Sequence, residues 1–227
     1  KGNHGADFLI KDMHRLTLIM KKNYPDLPYV LIGHSMGSYM SRKYASIYGD
    51  ELDGVIFLGT GNQPKAVVDS GLKLAHIAKL VRGERYRSEL LNTIMFGAYN
   101  KRIKDNRTAN DWLTKDTKIV DEYLSDPKCS YKFTANAYIG FLNVIKYDID
   151  KKNIAKTPDK LPVLFASGLE DPVGDYGKGV KKAFKMYTKY VDNVELYLYE
   201  DDRHELHSET DREDIFSDLY EWIEENV

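Results

Sequence analysis

The string Gly33-His34-Ser35-Met36-Gly37 constrains this chain more than any other five residues. It directly follows a short apolar run at 29–32, bounded by proline and glycine, which reads as a buried parallel strand. It directly precedes a segment, 36–48, that reads as a helix ending at Gly49. A serine at such a junction sits where the backbone turns sharply and is held in a strained conformation. Side chains two residues to either side are expected to collide with the neighbouring strand and helix, so both places favour glycine. The serine then projects above the carboxyl edge of the sheet, where open α/β sheets place ligands. Behind it lies a helix N-terminus, which favours negative charge. As a bare string, three fixed positions recur by chance in roughly one chain in ten of this length. The strand–turn–helix context gives the string its weight.

The rest of the chain supplies a setting for that turn. Residues 7–22 carry apolar positions at an approximate 3.6 period, closed by Pro25 and Pro28, and read as a helix. A second apolar strand is expected at 55–58, stopped by Gly59-Thr60-Gly61. Between 62 and 155 the pattern changes to helical stretches with many aromatics and few strand signals. Alternation resumes with a strand at 162–166, a helix at 176–190, a strand at 194–199 and a closing helix at 210–226. Strands alternating with helices predict a mostly parallel sheet with helices on both faces. Four strands are few for such a sheet: either the sheet is small or its first strands precede Lys1.

Composition removes several classes of function. Thirty-three Lys and Arg nearly balance 35 Asp and Glu, a formal charge of −2, so no global field favours nucleic acid or an anionic membrane. No apolar run approaches the roughly 20 residues of a membrane helix. The single cysteine, Cys129, excludes an internal disulfide and a cysteine-based zinc cluster, and suits a reducing compartment, hence an expected cytoplasmic location.

A serine hydroxyl is a poor nucleophile without an adjacent base. Where the serine stands at a strand-to-helix turn of this kind, the expected chain order is serine, acid, histidine. Six histidines are present: His4, His14, His34, His76, His204 and His207. Only His204 and His207 follow the last strand, and His204 lies nearer its carboxyl end. For the acid, the loop after 162–166 offers Glu170, Asp171 and Asp175. Asp171 precedes Pro172, which biases it to extended backbone and stiffens the loop. Asp175 reads equally well as the N-cap of the following helix.

Together GHSMGS, GLEDPVGDYGKGV and RHELHSE resemble the monoacylglycerol lipase and lysophospholipase branch of the α/β-hydrolases. The resemblance spans nearly the whole chain, from the helix before the first visible strand. It implies an α/β-hydrolase core at 1–61 and 156–227 and a helical cap at 62–155, with a lid over 112–134. It assigns Ser35 as nucleophile, Asp171 as acid and His204 as base, with the backbone N–H of Met36 in the oxyanion hole. Glu209, in the same string as His204, is expected to be structural. The family's second oxyanion donor belongs to an upstream His-Gly loop, expected before Lys1. No metal or organic cofactor is called for. The implied substrate is a small-molecule ester or lipid, cleaved through an acyl-enzyme. A peptidase or acyltransferase on the same fold, or a non-catalytic binding protein, are the alternatives. Tyr86, Phe96, Tyr99, Trp112, Phe133, Tyr138 and Phe141 supply apolar cap surface, a few of them expected to line an acyl tunnel. Lys101, Arg102, Lys104 and Arg107 read as a solvated face.

Overall fold

A computed structural model describes residues 5–104, 106–129 and 131–227. His4, and Ser130 within the lid segment, lie outside the described residues. Helix α1 (Gly5–Asn23) leads to β1 (Val30–His34), α2 (Met36–Tyr48) and β2 (Gly54–Leu58). Five helices follow: α3 (Lys65–Arg82), α4 (Glu89–Phe96), α5 (Thr117–Ser125), α6 (Ala135–Asp148) and α7 (Lys151–Ile154). The chain then returns through β3 (Val163–Gly168), α8 (Lys178–Tyr187), β4 (Val194–Tyr199) and α9 (Arg212–Asn226). The four strands are parallel, in the order β1-β2-β3-β4.

The two-residue period of the strands divides the core. Val55, Phe57, Val163 and Phe165 point to one face, where they join Tyr44 of α2, Val180 of α8 and the cap residues Leu72 and Leu142 in one buried cluster. Ile56, Leu58, Leu164 and Ala166 point to the other face, against Ile215, Leu219 and Trp222 of α9. The cap is therefore continuous with the core on the first face. Helix α6 packs on both α3 and α2. Arg42 of α2, fully buried, donates to the carbonyls of Gly61 at 2.8 Å and Asp148 at 3.0 Å, tying the end of β2 to the end of α6.

Four sequence expectations need correction. The run at 29–32 is not a fully buried strand. It belongs to β1, at one edge of the described sheet, where Ile32 is 49% exposed because α9 packs over β2 and β3. The helix expected over 176–190 begins only at Lys178 and ends at Tyr187, since Asp175, Tyr176 and Gly177 all take positive φ. Asp175 is consequently not the N-cap; that place falls to Gly177. The steric argument for two glycines also splits. A Cβ on Gly33 would lie 2.3 Å from Ser41 Oγ and 2.5 Å from the Gly37 carbonyl oxygen, whereas one on Gly37 would meet nothing within 4 Å.

That difference separates two substitutions that the motif treats alike. Gly33→Ala should destabilise the fold by about 2 kcal/mol or more, because backbone as well as side chain must move. Gly37→Ala, in a helix with open space at the Cβ, should change stability by less than about 1 kcal/mol in either direction. Urea titrations of both variants check this, and equal losses would contradict it.

Candidate active site

Ser35 sits between β1 and α2 with φ 54° and ψ −119°, one of three non-glycine residues with positive φ among the described residues. That conformation is held from both sides. The Ser35 N–H donates to the Leu58 carbonyl at 3.0 Å, and its own carbonyl accepts from Ser38 Oγ at 2.6 Å. Met36 is the first residue of α2, so its N–H has no acceptor within the helix and remains available to a ligand.

The loops after β3 and β4 bring the other two groups to the same edge. Ser35 Oγ lies 2.8 Å from His204 Nε2, and His204 Nδ1 lies 3.0 Å from Asp171 Oδ1. Asp171 and His204 are both fully enclosed by protein. With the carboxylate accepting at Nδ1, the Nε2 lone pair faces the serine hydroxyl. This is the arrangement needed to take up its proton. Asp171 Oδ1 also accepts from the Val173 N–H at 2.8 Å, which locks the turn at Pro172. The rival acids do not reach the imidazole: Glu170 is exposed, and Asp175 points from a left-handed turn into a cavity wall. His207 is exposed and meets the edge of His34 rather than Ser35. His14 stacks on Tyr48, and His76 is exposed on α3.

A polar clamp fixes the His204 loop to the cap. The buried carboxylate of Glu209 accepts from the Arg203 N–H at 2.7 Å, and from Thr114 Oγ1 and the Lys115 N–H at 2.9 Å each. The Arg203 guanidinium donates to the carbonyls of Asp111 and Thr114. The Glu205 N–H donates to the Leu113 carbonyl at 2.7 Å. Lys115 pairs with buried Asp202 at 2.5 Å. Burial pushes the carboxyls of Glu209 and Asp202 up from the usual range. Asp202, Glu209 and Asp211 cluster closely enough to hold a cation, but the Lys115 ammonium already lies against Asp202 and Asp211.

Two neighbours of His204 escaped sequence reasoning. The Trp112 ring lies 5.0 Å from the His204 ring, centre to centre. His34, the variable residue before the serine, lies 4.8 Å from it and donates from Nε2 to the His204 carbonyl at 3.1 Å. Only the position of His34 inside the glycine-flanked string could have flagged it.

Beside Ser35 opens a cavity of about 720 Å³, within the range of small-ligand sites. Of the seven cap aromatics considered above, Phe96, Tyr99, Trp112 and Phe141 line it; Tyr86, Phe133 and Tyr138 do not. The basic residues Lys101, Arg102, Lys104 and Arg107 are exposed, as expected. Arg102 covers the Tyr176 ring, and Arg107 pairs with Asp121.

The environment of His34 carries a pH signature. Burial first, then the neighbouring His204 and His207, lower its pKa from 6.5 to about 3. Between those values the unfolded chain binds the proton and the folded chain does not, so stability falls as pH drops from 6.5 towards 3. Replacing His34 by Gln, which keeps a donor, should flatten that fall in denaturant titrations taken at stepped pH. An unchanged slope would contradict this reading.

A family model described as serine aminopeptidase, S33, matches residues 3–211. A monoglyceride lipase homolog of Monkeypox virus is 21% identical over 216 residues, covering 94% of this chain and 69% of its own. A thermostable carboxyl esterase from Bacillus coagulans, solved with glycerol, superposes with a TM-score of 0.88 at 28% identity, over 96% of this chain and 71% of the esterase. A lipase in an open form gives 0.87 at 28% identity, over 99% and 73%. The chain belongs to the serine aminopeptidase S33 family and has the α/β-hydrolase fold.

Proposed function

We propose that this α/β-hydrolase is a serine esterase acting on lipid esters of the monoacylglycerol type, with Ser35 as nucleophile, His204 as base and Asp171 as the orienting acid. The observation that carries the reading is the unbroken relay from Ser35 Oγ through the imidazole to a buried carboxylate, at the side of a cavity with mainly apolar walls. The similarity to a monoglyceride lipase homolog, a carboxyl esterase and a lipase supports the same chemistry. In this reading residues 1–61 and 156–227 form the catalytic core and 62–155 the cap that shapes the substrate cavity.

The reaction follows from the atoms in place. His204 Nε2 takes the proton of Ser35 as Oγ attacks the ester carbonyl. Asp171 fixes the imidazole tautomer and stabilises the imidazolium that forms. The developing oxyanion accepts a hydrogen bond from the Met36 N–H at the start of α2, where the helix dipole favours negative charge. His204 returns the proton to the leaving alcohol. Water, activated by the same imidazole, then attacks the acyl-enzyme and releases the acid. The apolar residues Val67, Leu74, Ile94, Met95 and Leu142 in the cavity wall give an alkyl chain a place to bury.

A fluorophosphonate should label the protein and fail to label Ser35→Ala. On p-nitrophenyl esters of graded length, kcat/KM should rise from acetyl to medium-chain esters, since each buried methylene contributes about 0.8 kcal/mol. A folded protein that resists the probe would overturn the nucleophile assignment. A flat chain-length profile would overturn the apolar-wall assignment alone.

A further inference from the structure

Two cations in the cavity wall have no part in the chemistry proposed above. Lys178 and Lys182 of α8 both line the cavity, one helical turn apart, with Gly179 between them. Both are exposed, and among the described residues neither is held in an ion pair. Their acidic surroundings are sparse. Asp175 lines the same wall and offsets one of the two charges. Asp69, which follows the lining residue Val68, is already shared between Lys65 at 2.5 Å and Lys146 at 2.7 Å. The first N–H groups of α8 are taken up by the carbonyls of Gly174 and Asp175, so the positive potential at this wall comes from ammonium groups rather than open backbone.

The cavity thus has two unlike sides. Helices α3, α4 and α6 contribute alkyl and aromatic surface, and α8 contributes two lysines against the single carboxylate of Asp175, a net positive wall. A charge pair in the wall of a low-dielectric cleft focuses its field into the cleft and selects ligands of opposite sign. Lysine acts there as a point charge suited to phosphate or carboxylate oxygens. A wholly neutral ester would fill the apolar side and leave the α8 side facing water.

We propose that the α8 wall, built on Lys178 and Lys182, is a subsite for an anionic oxygen group, phosphate or carboxylate, carried by the ester substrate. The inference rests on the ester-hydrolase reading and narrows it to esters that are amphiphilic and negatively charged. Nothing in it requires a second chemical step. The anion only binds, and the bond cleaved remains the ester at Ser35.

Two matched pairs of substrates, assayed as monomers at low ionic strength, test it. One pair is 1-decanoylglycerol and its 3-phosphate, which places the anion on the leaving alcohol. The other is p-nitrophenyl decanoate and the p-nitrophenyl monoester of decanedioic acid, which places it at the end of the acyl chain. In at least one pair the anionic member should show a kcat/KM roughly tenfold or more above its neutral partner. Which pair responds identifies the half that carries the charge. That preference should collapse, mainly through KM, in the double variant Lys178→Gln/Lys182→Gln and return in Lys178→Arg/Lys182→Arg. Equal or neutral-favouring turnover in both pairs would overturn the proposal while leaving ester hydrolysis intact. So would a preference that survives the double Gln variant. Failure to cleave any of the four esters would remove the parent reading and this inference with it.

Discussion

A 2.8 Å contact between Ser35 Oγ and His204 Nε2 joins residues 169 positions apart, and the rest of the structure is arranged to hold it. A hydrogen bond of this kind contributes little to stability by itself, about 1 kcal/mol. Its geometry must therefore be imposed by stronger structure on both sides. On the serine side, the turn is pinned by the sheet bond to Leu58 and by the close approach of Gly33 to Ser41 and Gly37. On the histidine side, the Glu209 carboxylate gathers three donors and the Arg203 guanidinium hooks two carbonyls of the 111–114 segment. The His204 loop is thus fastened to the 111–115 segment as well as to the sheet.

The parallel sheet explains why three distant segments meet. Parallel strands all end at the same edge, so the loops following β1, β3 and β4 open onto one surface. Ser35 lies one residue past β1, Asp171 three past Gly168 and His204 five past Tyr199. The loop after β2 adds Gly59, whose φ of +58° lets the backbone pass close to the His204 ring: a Cβ there would stand 3.0 Å from it. The cavity beside Ser35 lies between this edge and the cap, where Arg42 holds β2 and α6 at a fixed separation.

Much of this was readable from the residues. The four strands announce themselves as short apolar runs, and the order of serine, acid and histidine follows from which loop each occupies. The glycine-flanked serine at a strand-to-helix turn is legible because few backbones tolerate it. Other features depend on contacts made far along the chain. The place of β1 at the edge of the described sheet, where Ile32 is exposed, depends on strand pairing rather than on its own apolar run. The late start of α8 reflects left-handed residues at Asp175 and Tyr176; aspartate tolerates that region better than most residues, but tyrosine does not. The bond from His34 to His204, the clamp at Glu209 and the bond from Arg42 to Asp148 link residues 170, 95 and 106 positions apart. Among six histidines and 33 basic residues, sequence pattern could not single these out.

The central claim is that Asp171 sets the tautomer of His204 so that Nε2 can accept the Ser35 proton. Asp171→Asn removes that control while preserving shape, because an amide can donate to Nδ1 and leave the proton on Nε2. The decisive measurement is the single-turnover rate of acylation by a p-nitrophenyl ester at pH 7, in wild type and Asp171→Asn, with circular dichroism confirming that both are folded. The account predicts a loss of roughly 10⁴-fold, the scale known for the corresponding change in a serine protease triad. A folded variant that acylates within about tenfold of wild type would contradict it, because the imidazole would then be oriented by something other than this carboxylate.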